Sequence, residues 1–88
     1  MSSKIVEYDL CSPGRNYDDL YATIKSYSAW AHVTESTWFI KTQDSCATVR
    51  DNLAKHMDNN DRLFVAELTG AAAWQNVLCD SQYLKNNL

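Results

Sequence analysis

The chain has 88 residues, of which 45% are hydrophobic and 22% charged, with a formal net charge of −3 at pH 7. At this length one domain is expected, with a modest core that oligomerisation commonly supplements. The acidic balance speaks against a strong non-specific nucleic-acid binder, which carries a basic excess. The three cysteines, Cys11, Cys46 and Cys79, form no CxxC pair, which disfavours a disulfide framework or a zinc knuckle and favours reduced thiols. No apolar run approaches the roughly 20 residues of a membrane span, and no signal-peptide apolar stretch opens the chain, so a cytoplasmic protein is expected.

Lys4–Leu10 alternates as a strand, with Val6, Tyr8 and Leu10 on one face and Ile5, Glu7 and Asp9 on the other. Pro13-Gly14 marks a loop over residues 11–16. Asn16 is placed to cap a helix over Tyr17–Tyr27, with Asp18 and Asp19 in its first turn, where the helix dipole favours acids. Tyr17, Leu20, Ile24 and Tyr27 recur at helical spacing.

Residues 29–41 are rich in β-formers and are read as a hairpin, Ala29–Val33 and Thr37–Lys41. Asp44 or Ser45 caps a second helix, whose buried face is Cys46, Val49, Leu53 and Met57. The turn cluster Asp58-Asn-Asn-Asp61 ends it, and Arg62–Leu68 forms a fourth strand, stopped at Thr69-Gly70. Residues 71–88 form a C-terminal extension without a firm period, in which Ser81–Asn87 is either a short helix or a frayed tail.

The order βαββαβ is the ferredoxin-like arrangement, a four-stranded antiparallel sheet with two helices on one face and strands one and three in the middle. The other face is expected to be open. It carries Ile5, Glu7 and Asp9, together with either Thr37, Phe39 and Lys41 or Trp38 and Ile40. An apolar face of this kind calls for a second protomer. Trp74, Val77 and Leu78 in the extension are candidates to strap onto that partner in a swapped dimer.

Val6-Glu7-Tyr8-Asp9-Leu10, Glu35-Ser36-Thr37-Trp38-Phe39-Ile40 and Asn60-Asp61-Arg62-Leu63-Phe64-Val65, in that order and spacing, carry a resemblance. Over residues 4–70 the chain resembles the small CRISPR-associated proteins that form the dimeric central subunit of the spacer-integration complex. It also resembles their VapD-type toxin ribonuclease relatives, most closely the short stand-alone members called SinR-like. The resemblance implies a homodimeric ferredoxin-like protein associated with nucleic acid. Several members of that group are metal-dependent nucleases, which implies a Mg²⁺- or Mn²⁺-dependent endonuclease in which Asp9 from each subunit holds the cation and is the catalytic residue; other members act only as scaffolds for duplex DNA. The chain departs from the integration subunits in holding one arginine, Arg15, in the loop after the aspartate, and in being acidic. A non-catalytic dimeric module that binds a protein or nucleic acid is the alternative.

Read from the residues alone, Asp9 is either a turn acid bonded to nearby backbone N–H groups or a ligand for a hard cation, which takes one or two carboxylates plus waters and phosphate oxygens. Glu7 is either a second carboxylate there or the partner of Lys41 or Arg62. Arg15 and Ser12 are the candidate nucleic-acid contacts beside Asp9; Ser12 also reads as turn chemistry and Tyr8 as core. His32 and His56 have no sequence signal that brings them to Asp9. Trp30, Trp38, Phe39, Phe64 and Trp74 are read as core or dimer interface, because the basic-aromatic signature of base-stacking RNA-recognition sheets is missing. Small-molecule binding on the open sheet face ranks last, since no Gly-rich phosphate loop supports it.

Overall fold

A computed structural model describes all residues, Met1–Leu88. The elements run β1 (Ser2–Asp9), α1 (Asp18–Lys25), β2 (Ala29–Thr34), β3 (Thr37–Thr42), α2 (Cys46–Ala54), β4 (Arg62–Glu67) and α3 (Ser81–Asn87). The protein is α+β. Its four strands form one sheet in the order β2-β3-β1-β4, and every neighbouring pair is antiparallel. Strands one and three therefore lie in the middle, as the pattern requires. None of the helices is long and apolar enough to cross a membrane.

The helices are shorter than their apolar spacing predicts. Helix α1 ends at Lys25 rather than Tyr27, because the next two amide groups turn back in tighter bonds, Ser26 to Thr23 and Tyr27 to Ile24. Asn16 does accept a backbone bond, from Asp18 N–H at 2.8 Å, but Tyr17 occupies the cap position and its side chain caps nothing. Ser45, not Asp44, caps α2, accepting from Thr48 N–H at 3.1 Å.

The main core lies between the sheet and α1 and α2. Val6, Tyr8, Trp38 and Ile40 point into it from the sheet, and meet Leu20 and Ile24 of α1 and Val49 and Leu53 of α2. Met57 and Tyr27 pack at its margin, whereas Cys46 is only half-buried. The same alternation carried back along β1 places Lys4 on the core face, and it is 2% exposed. Its Nζ bonds Ser2 Oγ and lies 3.4 Å from Glu67 Oε1. A buried ammonium is tolerated there because it is both paired and hydrogen-bonded.

The expectation of a fully open second face is corrected. Phe39 and Ala31 point to that face, and residues 74–88 of the same chain cover them. Leu84 of α3 completes a small buried cluster with them, flanked by Val33, Leu68, Trp74, Val77, Tyr83 and Leu88. Polar contacts seat this strap: Leu78 N–H donates to Val33 O at 2.9 Å, Ser3 Oγ to Asn87 O at 3.0 Å, and Trp74 Nε1–H to Ser81 Oγ at 3.2 Å. Asp80 caps α3 through Gln82 N–H at 2.9 Å. Trp74, Val77 and the α3 residues thus pack on their own chain's sheet. The pattern missed this because an irregular strap has no period; its apolar residues follow the surface beneath it.

Candidate functional site

The strap covers only part of the second face. At the end of β1 the ladder places Asp9 opposite Arg62, and Glu7 between Thr37 and Phe64. These residues share the second face; Asp9, Arg62 and Phe64 are exposed there, Phe64 at 63%, while Glu7 and Thr37 between them are half-buried. Glu7, Tyr8, Asp9, Arg62, Leu63 and Phe64 line a shallow hollow of about 160 Å³.

Asp9 is the last residue of the strand, with its side chain 67% exposed. Its Oδ2 lies 3.7 Å from Arg62 Nη1, a loose pair between two exposed side chains that is worth little against water. The same Arg62 nitrogen lies 3.6 Å from Cys11 Sγ. Asp9 makes no turn bond to a backbone N–H through its side chain. Asp61 takes that part instead, accepting from Cys11 N–H at 2.6 Å, Asp58 N–H at 2.8 Å and the Tyr17 hydroxyl at 2.8 Å.

Burial pushes the Asp61 carboxyl up, but those two backbone N–H groups, the Tyr17 hydroxyl and nearby Arg15 outweigh it and hold it below its ordinary value. Burial, followed by the bond to Asp61, raises the Tyr17 phenol. Asp61 therefore ties the loop after β1 to the turn before β4 and fixes where β1 ends. Sequence placed it in a turn cluster. Its bond to Cys11, 50 residues away, has no local signal.

Glu7 pairs with neither Lys41 nor Arg62. Its Oε1 accepts from Thr37 Oγ1 at 2.7 Å. Its Oε2 is the one buried side-chain polar atom without a partner. An unpaired buried carboxylate oxygen is costly and calls for a further donor or ion.

Of the candidate nucleic-acid contacts, Arg15 forms an ion pair with Asp58 and lies 5.5 Å over the Tyr17 ring. Ser12 sits in the turn whose carbonyl accepts from Arg15 N–H at 3.0 Å. Both lie in the loop that Asp61 anchors. Tyr8 is core, as read: it is 4% exposed and points away from Asp9. His32 stacks on Trp38 on the helix side of the sheet, and His56 follows the end of α2.

Within one chain, no group of three or more His, Cys, Asp or Glu side chains stands close enough to hold a metal ion. A Mg²⁺-like ion needs only one or two carboxylates with waters and phosphate oxygens; on this face Asp9 and Glu7 are the carboxylates that would hold one. No protein-family model matches the chain, and none of the curated proteins compared with it matches.

Proposed function

We propose that this is a small nucleic-acid-associated protein with a ferredoxin-like core, acting as a homodimer through the uncovered end of its second sheet face. Asp9 of each protomer would hold a shared Mg²⁺ or Mn²⁺ for endonuclease action. The strand order and the position of the helices support the ferredoxin-like reading. The observation that carries the site is the exposed Asp9 carboxylate at the end of a central strand, beside the unpaired Glu7 Oε2 and the exposed Phe64. One face thus offers oxygen donors and an apolar contact for a second copy.

A bound divalent cation would polarise the scissile phosphate and lower the pKa of a coordinated water. Asp9 would supply the charge that holds it, Arg62 would swing from Asp9 to the phosphate, and Phe64 would bury against the partner. In a nuclease assay with Mn²⁺ on single-stranded RNA and DNA, the expected result is cleavage that Asp9→Asn abolishes while circular dichroism stays unchanged. Absence of cleavage of either substrate across a pH series overturns the catalytic reading.

A second reading, a non-catalytic dimeric interaction module, is favoured by Arg62 and Arg15, both of which are engaged by the chain's own acids. Binding measured over a salt titration separates the two classes of partner. A steep salt dependence marks phosphate contacts, and a flat one marks a protein.

A further inference from the structure

At the same end of the sheet, on the helix side, lies a second hollow, of about 310 Å³, lined by Tyr8, Tyr21, Lys25, His32, Glu35 and Trp38. Its floor is the buried Tyr8 and Trp38, joined by a bond from Trp38 Nε1–H to the Tyr8 hydroxyl at 2.9 Å. His32 and Tyr21, both half-buried, form its walls. The imidazole lies flat on Trp38, with centroids 4.0 Å apart and planes 6° apart. Its Nε2 is held 3.2 Å from Glu35 O. Tyr21 packs 6.3 Å from Trp38 and 6.4 Å from Tyr8.

The rim carries two exposed charges of opposite sign, Lys25 and Glu35, and neither enters an ion pair. The Lys25 ammonium lies 5.4 Å over Trp30 and 6.0 Å over Trp38 and donates no hydrogen bond within the chain.

We infer that this hollow binds a nucleotide. The planar base lies against the imidazole and phenol walls, its amino or imino donors face the Glu35 carboxylate, and its phosphate takes the free donors of Lys25. Aromatic walls accept any base by stacking, and an ammonium supplies the phosphate contact. The volume falls at the lower end of the range of small-ligand sites. Backbone links this hollow to the Asp9 end of the sheet: Tyr8 N–H, one residue before Asp9, donates to Ser36 O in the turn that carries Glu35, at 3.1 Å. The choice of ligand rests on the nucleic-acid reading above; the site does not depend on Asp9 or on a metal.

The test is a titration of the full chain in EDTA, followed by the Trp38 indole N–H signal in nitrogen-edited NMR. The probes are nucleoside 5′-monophosphates, the matching nucleosides, and an eight-nucleotide RNA single strand. The expected result is a saturable shift with the monophosphate or the strand, and about tenfold weaker binding of the nucleoside or of Lys25→Gln, the worth of one charge-assisted phosphate contact. Glu35→Gln weakens binding of bases with donor edges. A strand that binds more tightly than the monophosphate assigns the site to nucleic acid. Binding of the monophosphate alone keeps the site and removes the nucleic-acid reading. Absence of any shift, or equal affinity of Lys25→Gln and the parent chain, overturns the proposal.

Discussion

On the helix side of the sheet, nine hydrophobic residues are buried in one cluster; on the strap side there are three. The first face is covered, apart from the hollow at its Tyr8–Trp38 end, by two helices whose apolar stripes match the alternation of β1 and β3. The second is sealed by an irregular segment that reaches Phe39 and stops short of Glu7, Asp9 and Phe64. The difference follows from what each face offers. Val6, Tyr8, Trp38 and Ile40 give the helices a continuous apolar floor. At the same end of the second face, Glu7, Thr37 and Asp9 give the strap nothing apolar to cover, and Phe64 is left facing water. The polar end of the sheet is thus kept free by the same residues that make it a candidate site.

The largest expected effect breaks the first face. Ile24→Ala removes a fully buried side chain and is expected to cost about 2–5 kcal/mol in chemical denaturation. Leu84→Ala should cost less, near the lower end at about 2 kcal/mol, because the strap around it can collapse. If the two variants lose the same amount, the faces are equally well packed and the contrast fails.

Acid titration of stability sharpens the role of Asp61. Its folded pKa is depressed, so its contribution is fully present above its ordinary value of 3.8 and is lost as pH falls through the lower folded value. Glu67, held down by Ser2 and then Lys4, adds the same sign of dependence from its ordinary 4.5 downward. The expected outcome is a melting temperature that drops below about pH 4, with Asp61→Asn flattening the drop. A parent chain and a variant with parallel profiles would show that the anchor is not electrostatic.

Smaller effects are expected at the uncovered end. Glu7→Gln removes a charge with one unpaired buried oxygen and should leave stability unchanged or raise it by up to about 1 kcal/mol. Arg62→Ala breaks a pair in which both side chains are mostly exposed, and should change stability by less than about 0.5 kcal/mol. A large loss in either variant would mean that this end is structural.

Much of the fold was legible because it depends on period. The alternation in β1 marks Val6 and Tyr8 as core, and the helical spacing of Leu20, Ile24, Val49 and Leu53 marks the faces that cover them. Which parity of β3 meets the helices was not legible, since both Trp38 and Phe39 are large and apolar; the structure turns Trp38 to the helices and Phe39 to the strap. At the site, Asp9 was visible as the acid that ends a central strand. Its partner Arg62, the bond from Thr37 to Glu7 and the anchor at Asp61 were not, because each joins residues from distant strands or loops.

By itself, the sequence determined the element order as far as β4, the buried faces of two helices and one strand, and the position of Asp9 at a strand end. These follow from local propensity and from the 2.0 and 3.6 residue periods. Only the tertiary structure decided that the chain covers part of its own second face, and that Lys25 and Glu35 line one aromatic hollow. Those outcomes depend on which side of a sheet a long connection takes and on register between strands, and no single segment encodes either.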